Sequence, residues 1–295
     1  MGISSLGQGH GSGQGHPSGQ GHAGAGMKGA HRRVEVPPGP AVRGERLHRG
    51  KVKGVYAVAG YPGLRLIDFT DEATAFDGTK RAVIAGKGEA NARISAAFFQ
   101  ALERAGVPTH FVRLESPAVM LVRAVEIIPL EVVVRNRVAG SLAKRLGLAE
   151  GTPLRRPVWE LFYKSDPLHD PWVNAHHAEA LGWASAEELA EMERLAFAAN
   201  LAMRDLALRA GLELIDFKLE MGRPLGPQGA RTGEGLLVAD EISPDTCRFW
   251  DVETGERKDK DRFRRDLGQV EETYAEVLRR IEEAFRWLDT PSSST

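Results

Sequence analysis

Charged side chains alternate with apolar ones in the segment ELIDFKLEMG. Because side chains of a strand alternate between its two faces, Asp216, Lys218 and Glu220 share one face. A solvated strand face would show the same alternation, so this segment alone does not indicate a site. The next apolar run, GLLVADEISPD, predicts an antiparallel neighbour that carries Asp240 and Glu241 at its end. Carboxylates on adjacent strands with a lysine between them suit Mg²⁺ bound to polyphosphate, so the pair of strands indicates an ATP-type site.

A second group of cations lies in RGKVKGVY. If this segment is a strand, Lys51 and Lys53 fall on the same face, and Gly50 and Gly54 let a ligand approach the backbone. The spacing is not that of a Walker A loop. Paired lysines on an edge strand are also common as solubilising residues. This segment therefore supports anion binding only in combination with the other segments.

The segment VVVRNRVAGSLAKRLG reads as a buried strand that turns into a helix. With Ser141 as the predicted N-cap, the helix would present free N–H groups and its positive dipole end to an anion. The Arg135 guanidinium could bind the same anion through two N–H groups. These features together predict an anion contact. The alternative is a capped helix with its basic residues on a solvated face.

Two further polar segments are candidates for the same site. The Pro-punctuated loop in LFYKSDPLHDPWVNAHH is dense in polar residues, including Lys164 and Asp170, and such loops tend to carry function. Zinc binding by His169, Asp170, His176 and His177 is an alternative, but the segment has no HExxH or paired-cysteine spacing. In DTCRFWD, the apolar neighbours of Arg248 predict a half-buried guanidinium with an anionic partner.

The elements that must position these residues are strands in runs with helices between them, which indicates an α+β fold. Two strands are predicted on either side of a turn at residues 61–63, and MLVRAVEI and LEVVVRN read as further strands. Apolar residues at helical spacing predict helices over 91–105 and 186–210. A last helical face combines Phe263, Leu267, Val270, Tyr274, Val277 and Ile281.

Composition limits the partners. Lys and Arg number 39 against 40 Asp and Glu, which lacks the basic excess of a nucleic acid-binding protein. Cys247 is the single cysteine, so no internal disulfide is expected, and a reducing compartment, the cytoplasm, is favoured. No stretch reaches the roughly eighteen apolar residues of a membrane helix, and the N-terminus lacks the apolar core of a signal peptide. We therefore expect no nucleic acid partner and no membrane association.

Residues 1–45 differ from the rest because GQGH recurs at positions 7, 13 and 19 among Gly, Gln and Ser. Such a segment has little to bury, so we expect disorder. Metal binding by His10, His16 and His22 is an alternative that would require ordering a flexible tether. The remaining chain divides in this interpretation into a nucleotide-binding subdomain, 46–130, and a substrate- and metal-binding subdomain, 131–295.

The segments RGKVKGVY, EVVVRNRVAGSLAKRLG, LFYKSDPLHDP, LIDFKLEMG, and DEISPDTCRFWD with DKDRFRRDLG resemble, in this order, the signature segments of the SAICAR synthetase family. The resemblance extends from about residue 46 to the C-terminus. It implies a two-part α+β fold with ATP in the cleft between a kinase-like antiparallel sheet and a larger C-terminal part. It also implies ligation of carboxyaminoimidazole ribonucleotide (CAIR) to L-aspartate, with ATP and Mg²⁺, in de novo purine synthesis.

Roles for the residues follow from that resemblance. ATP would contact Lys51, Lys53 and Lys164, with adenine at the backbone near Glu126 and Ile127. Mg²⁺ would bind Glu220 and Asp240, and Asp216 and Lys218 would act in catalysis. The ribonucleotide would contact Arg135, Ser141, Asp170 and Arg248.

Two rival functions remain open at this point: a small-molecule kinase on the same scaffold, and a nucleotide sensor without catalysis. The sequence does not fix the oligomeric state, and a homo-oligomer is compatible with it. The residue that deprotonates the aspartate ammonium is also left unassigned.

Overall fold

The structure, a computed structural model, describes residues 34–75 and 78–288. Within these ranges, two antiparallel sheets and a small hairpin are packed with helices, and the predicted α+β class is confirmed. The strands are β1 (Arg43–Arg49), β2 (Lys53–Val58), β3 (Leu64–Phe69), β4 (Glu72–Ala75), β5 (Lys80–Val83), β6 (Phe111–Ser116), β7 (Val119–Arg123), β8 (Val125–Arg137), β9 (Pro153–Tyr163), β10 (Trp172–Val173), β11 (Leu212–Pro224), β12 (Leu237–Ala239) and β13 (Cys247–Asp251). The helices are α1 (Lys87–Arg104), α2 (Gly140–Leu146), α3 (Ala175–Ala180), α4 (Ala186–Arg209), α5 (Asp261–Arg264) and α6 (Val270–Leu288), with a 3₁₀ turn at Asp166–Leu168.

The first sheet has the strand order β1-β2-β3-β7-β6. The predicted turn between β2 and β3 is present, with Leu64 N–H donating to the carbonyl of Tyr61. β1 pairs antiparallel with β2 and begins at Arg43, so residues 43–45 belong to the sheet and the predicted disordered segment is too long at that end. The prediction of disorder for residues 1–33 lies outside the described residues.

The second sheet has the order β10-β9-β8-β11-β12, with β13 also paired to β11. The predicted antiparallel pairing of the two carboxylate-bearing segments is confirmed, since Glu220 on β11 lies opposite Ala239 on β12. On its other edge β11 pairs with β8, which puts Asp216 opposite Arg135. This register brings acidic and basic side chains onto one face of the sheet.

One hydrophobic core extends over both sheets. It includes Ile67 and Met120 from the first sheet and Val132 and Phe217 from the second. β8 runs through the predicted subdomain boundary at residues 130 and 131. The division into two subdomains therefore remains a prediction.

Helices α1, α4 and α6 cover this core. The predicted stripe of α4 is buried, and the helix begins at a capping box in which Ser185 and Glu188 each accept the other's backbone N–H. The predicted last helical face is wrong at its start, because Phe263 lies in α5 and Leu267 is exposed between α5 and α6. MLVRAVEI is likewise two strands, which meet at Ala124.

No helix within residues 34–75 and 78–288 has the length and apolar character needed to cross a membrane.

Candidate functional site

A cavity of about 1220 Å³ is lined by both sheets and by the loops that follow β9 and β12. The structure brings nearly all of the predicted site residues together here, although they are far apart in the sequence. Those in its wall are Lys51, Lys53, Ile127, Arg135, Ser141, Lys164, Asp170, Asp216, Lys218, Glu220, Asp240 and Arg248. The exception is Glu126, whose carboxylate accepts hydrogen bonds from Arg223 and Arg231 away from this wall.

Lys218 is at the centre of the cavity wall, surrounded by acidic groups. Its Nζ lies 2.9 Å from Glu131, 3.1 Å from Glu220 and 3.7 Å from Asp240. Burial disfavours the charged ammonium, but the three carboxylates outweigh it and raise the pKa of Lys218 well above its ordinary value. Lys218 is therefore a permanent cation in a place where polyphosphate charge could be neutralised.

A second lysine approaches the same carboxylates from the first sheet. Lys53 on β2 donates to Asp240 and, at 2.9 Å, to Glu241. Burial opposes charge on Asp240, yet Lys53 and Lys218 hold the pKa of that carboxyl well below its usual range. Asp240 is thus ionised at neutral pH and available as an oxygen ligand.

The prediction that Lys51 and Lys53 share a strand face is wrong. Lys51 lies in the bend between β1 and β2, and only Lys53 belongs to a strand. Both still line the cavity, because the bend turns Lys51 toward Asp166, 2.9 Å away. Lys164 lies nearby and pairs with Glu220 at 2.6 Å.

The far end of the cavity holds a chain of alternating arginines and carboxylates. Arg135 is 3% exposed and donates to Glu160 at 2.5 Å and to Asp216 at 2.7 Å. Arg248 donates to both oxygens of Asp216 and also to Asp261. The predicted anionic partner of Arg248 is therefore present within the protein itself.

Ser141 is not the N-cap of α2, contrary to the prediction. The helix begins at Gly140, and its N-cap is Ala139, two residues before the predicted one, with no side-chain hydrogen bond to cap the helix. The Ser141 hydroxyl instead accepts a hydrogen bond from Arg135 at 2.9 Å. Gly140 has φ +53°, and a Cβ there would lie 2.6 Å from the Arg248 guanidinium, so this turn requires glycine.

The loop after β9 places Asp170 at the rim of the same cavity. Asp170 accepts the backbone N–H of Ser165 at 2.8 Å, and this bond closes the loop around the 3₁₀ turn. At the other end, Val55, Ile67, Val122 and Ile127 provide an apolar wall. One cavity thus joins an apolar end, a lysine–carboxylate centre and an arginine-rich end.

Glu131 and His110, which the sequence interpretation did not name, belong to the site together with Glu241, which it named without a specific role. Glu131 contacts Lys218, and Glu241 contacts Lys53. Glu131 could have been found from its spacing, because it lies two and four residues before Val133 and Arg135 on the same strand face. His110 also lines the cavity, and burial lowers its pKa to about 3, so its ring is neutral. A lone histidine before β6 gave no signal of this position.

The donors available to a metal are carboxylates. Within the described ranges, no three His, Cys, Asp or Glu side chains form a group able to hold a metal ion by themselves, which includes the zinc alternative at residues 169–177. Glu220 and Asp240 are both contacted by Lys218 and face the same space. Two carboxylates beside several lysines fit Mg²⁺, which prefers one or two carboxylates together with phosphate oxygens.

The comparisons agree with this geometry. A sequence profile described as SAICAR synthetase matches residues 46–281. The phosphoribosylaminoimidazole-succinocarboxamide synthase of Desulfitobacterium hafniense strain Y51 is 51% identical over 244 residues, covering 83% of this chain and 99% of that protein. The Brevibacillus brevis enzyme of the same name is 53% identical over 238 residues, covering 80% of this chain and 96% of the relative.

Solved structures give the same result. The phosphoribosylaminoimidazole-succinocarboxamide synthase of Ehrlichia chaffeensis has a TM-score of 0.78 at 40% identity, covering 81% of this chain and 98% of that one. A SAICAR synthetase in complex with ADP has a TM-score of 0.75 at 44% identity, covering 80% of this chain and 97% of that one.

Fold and cavity define an ATP-using ligase with an α+β architecture. The chain belongs to the SAICAR synthetase family, whose reaction is a step of purine biosynthesis.

Proposed function

We propose that this protein joins the carboxylate of CAIR to the amine of L-aspartate, with conversion of ATP to ADP and phosphate, in the cytoplasm. The observation that carries this proposal is the single cavity in which a lysine–carboxylate centre separates an apolar end from an arginine-rich end. The first end suits a nucleoside base, the centre suits transferring phosphate, and the last suits a second phosphate-bearing substrate.

The reaction must first activate a carboxylate, which resists attack by an amine. A carboxylate oxygen of CAIR attacks the γ-phosphorus of ATP, ADP leaves, and an acyl phosphate forms. The neutral amine of aspartate then attacks the acyl carbon, and phosphate leaves with that carboxylate oxygen. Cations beside the transferring oxygens stabilise the charge that spreads over them.

Lys53 and Lys218 are the residues that we assign to this stabilisation. Both are held by carboxylates in the centre of the cavity, so their ammonium groups are oriented before a ligand arrives. Lys51 and Lys164 lie closer to solvent and would contact the outer part of the polyphosphate. Ile127 belongs to the apolar wall that we assign to adenine, next to the backbone of Glu126.

Glu220 and Asp240 are the proposed Mg²⁺ ligands. Bound there, Mg²⁺ would neutralise phosphate charge and hold the polyphosphate in position. Lys164 and Lys218 pair with Glu220, and Lys53 pairs with Asp240. Lys53 and Lys218 hold the pKa of Asp240 well below its usual range, so its oxygens remain suitable ligands for a hard cation.

The arginine-rich end is the proposed site for the ribonucleotide phosphate. Arg248 is partly exposed and would contact the anion together with Ser141, with Asp170 at the rim. Arg135 is nearly enclosed by Glu160, Asp216 and Ser141, so we assign its contribution to its positive charge.

Asp216 takes a different role from the catalytic one that the family resemblance implied. Its two oxygens accept hydrogen bonds from Arg135 and Arg248. We therefore propose that Asp216 orients the two guanidinium groups and does not touch the reacting carboxylate. Lys218 keeps the catalytic role.

The test is to incubate purified protein with ATP, Mg²⁺ and CAIR, with and without L-aspartate, and to follow ADP and the succinocarboxamide product by mass. We expect product only with aspartate, in equal amount to ADP. ADP without aspartate dependence, together with a stable phosphate ester, would establish the kinase alternative. ADP binding without turnover under any of these conditions would establish a nucleotide sensor.

A further inference from the structure

Asp240 has a backbone conformation that needs support. Its φ is +65°, in the left-handed region that is unfavourable for residues other than glycine, although aspartate tolerates it better than most. The residue directly follows β12, and this conformation turns its carboxylate toward Lys53 and Lys218. Strained residues of this kind persist where their surroundings fix them.

The segment before β6 provides that support through the backbone. Val238 N–H donates to the carbonyl of Pro108 at 3.0 Å, and His110 N–H donates to the carbonyl of Val238 at 2.9 Å. Thr109 and Val238 thus form a parallel bridge beside β12. The chain is held in register up to two residues before Asp240.

The side chain of His110 continues the same contact. The ring lies beside the backbone of Asp240, and its Nε2 has no hydrogen-bond partner among the described residues, which leaves Nδ1 as the nitrogen able to interact with that backbone. The ring is 2% exposed and packs edge-on against Phe99, with ring centroids 5.1 Å apart. Packing against Phe99 therefore fixes one side of the ring, and Nδ1 is the group through which it can act on Asp240.

We propose that Nδ1 of His110 donates to the backbone of Asp240, so that His110 is a positioning residue that holds Asp240 in its left-handed conformation and thereby aims its carboxylate at the metal and the nucleotide phosphates. This inference rests on the proposed function, since it assigns the support of the proposed metal ligand. In this role His110 acts through Asp240 and not on the reacting atoms.

The test measures ADP binding by calorimetry with and without Mg²⁺. His110→Phe keeps a ring against Phe99 but removes the donor, and we expect at least a fivefold smaller tightening of ADP binding by Mg²⁺, with Mg²⁺-free binding unchanged. His110→Asn, whose amide can replace Nδ1 as donor, should recover most of the tightening. Phe99→Leu disturbs the same packing without removing the donor, so it should lower Tm and keep the tightening.

His110→Phe with tightening within twofold of wild type would overturn the proposal, as would an equal loss in Phe99→Leu. A wild-type protein that shows no tightening by Mg²⁺ would overturn the metal assignment together with this inference. The proposed bond can also be tested in the wild-type protein. The ¹⁵N chemical shifts of the His110 ring should show the proton on Nδ1, and a proton on Nε2 would contradict the proposed bond.

Discussion

Arg248 Nη1 donates to both carboxylate oxygens of Asp216, at distances of 3.0 and 2.8 Å. Arg135 donates to the same carboxylate from the neighbouring strand, at 2.7 Å. One buried carboxylate therefore fixes two guanidinium groups at the arginine-rich end of the cavity. Because their orientation is set before any ligand binds, less conformational freedom is lost when an anion arrives.

Replacing that carboxylate tests its positioning role. Asp216→Asn keeps an acceptor but removes the charge between the buried Arg135 and the partly exposed Arg248, so we expect kcat/KM for CAIR to fall at least tenfold, mainly through KM. Stability should fall by about 1–3 kcal/mol, since a buried charged partner is lost. Steady-state kinetics and urea unfolding measure the two effects. Asp205→Asn, which removes an exposed pair with Arg209 on α4, is the control and should change neither.

The turn at Gly140 gives a second prediction with a matched control. Gly140→Ala should displace the Arg248 guanidinium, because the new Cβ would lie 2.6 Å from it. We expect a loss of about 1 kcal/mol of stability from the positive φ and a higher KM for CAIR. Gly147→Ala, at the other end of α2, has φ +63° but open space around the Cβ. It should lose similar stability and keep its KM; equal KM values in the two variants would contradict the account.

Asp240→Asn tests the metal assignment. The side chain lies in a polar cavity, so loss of its charge should leave the fold intact while removing one proposed metal ligand and the partner of Lys53. We expect kcat to fall at least a hundredfold, with Tm within a few degrees of wild type. Asp68→Asn removes the partner of Arg43 outside the cavity and serves as the control. Unchanged turnover in Asp240→Asn would remove Asp240 from the metal site.

Asp259 should make stability depend on pH. Burial and the neighbouring Asp261 raise the pKa of Asp259 to about 7, although Arg248 and Arg264 oppose the shift. The folded protein therefore keeps a proton that the unfolded chain releases above about pH 4. The contribution of Asp259 to stability is present below that pH and declines as pH rises toward 7.

Asp259→Asn removes this titration. The unfolding free energy of wild type relative to the variant should fall between pH 5 and pH 7, by up to about 1.4 kcal/mol per pH unit. Urea unfolding at pH 5, 6, 7 and 8 measures this difference. A difference that stays constant with pH would show that Asp259 is ionised in the folded protein throughout the range.

The sequence predicted which residues meet in the cavity better than it predicted how they are held. Alternation along β11 was sufficient to group Asp216, Lys218 and Glu220, because side-chain direction in a strand follows from local geometry. The partner of Asp216 could not be read in the same way. Its position opposite Arg135 depends on the register of two strands that are far apart in the chain.

The errors at Lys51 and Ser141 have the same origin. A bend places Lys51 outside β2, and Gly140 opens α2 one residue before Ser141, where Arg248 fills the space that a side chain would need. The approach of Arg248 is a tertiary contact, which no local pattern records. His110 was missed for the corresponding reason, since its proposed role depends on β12, a neighbouring strand that is far away in the chain.

The central claim is that the carboxylate is activated by transfer of the γ-phosphoryl group from ATP. CAIR labelled with ¹⁸O in both carboxylate oxygens tests it directly when it is converted with ATP, Mg²⁺ and L-aspartate, and the phosphate is analysed by mass. One ¹⁸O atom should appear in each phosphate released, and the succinocarboxamide should retain the other. Product formed with unlabelled phosphate would contradict the acyl phosphate route.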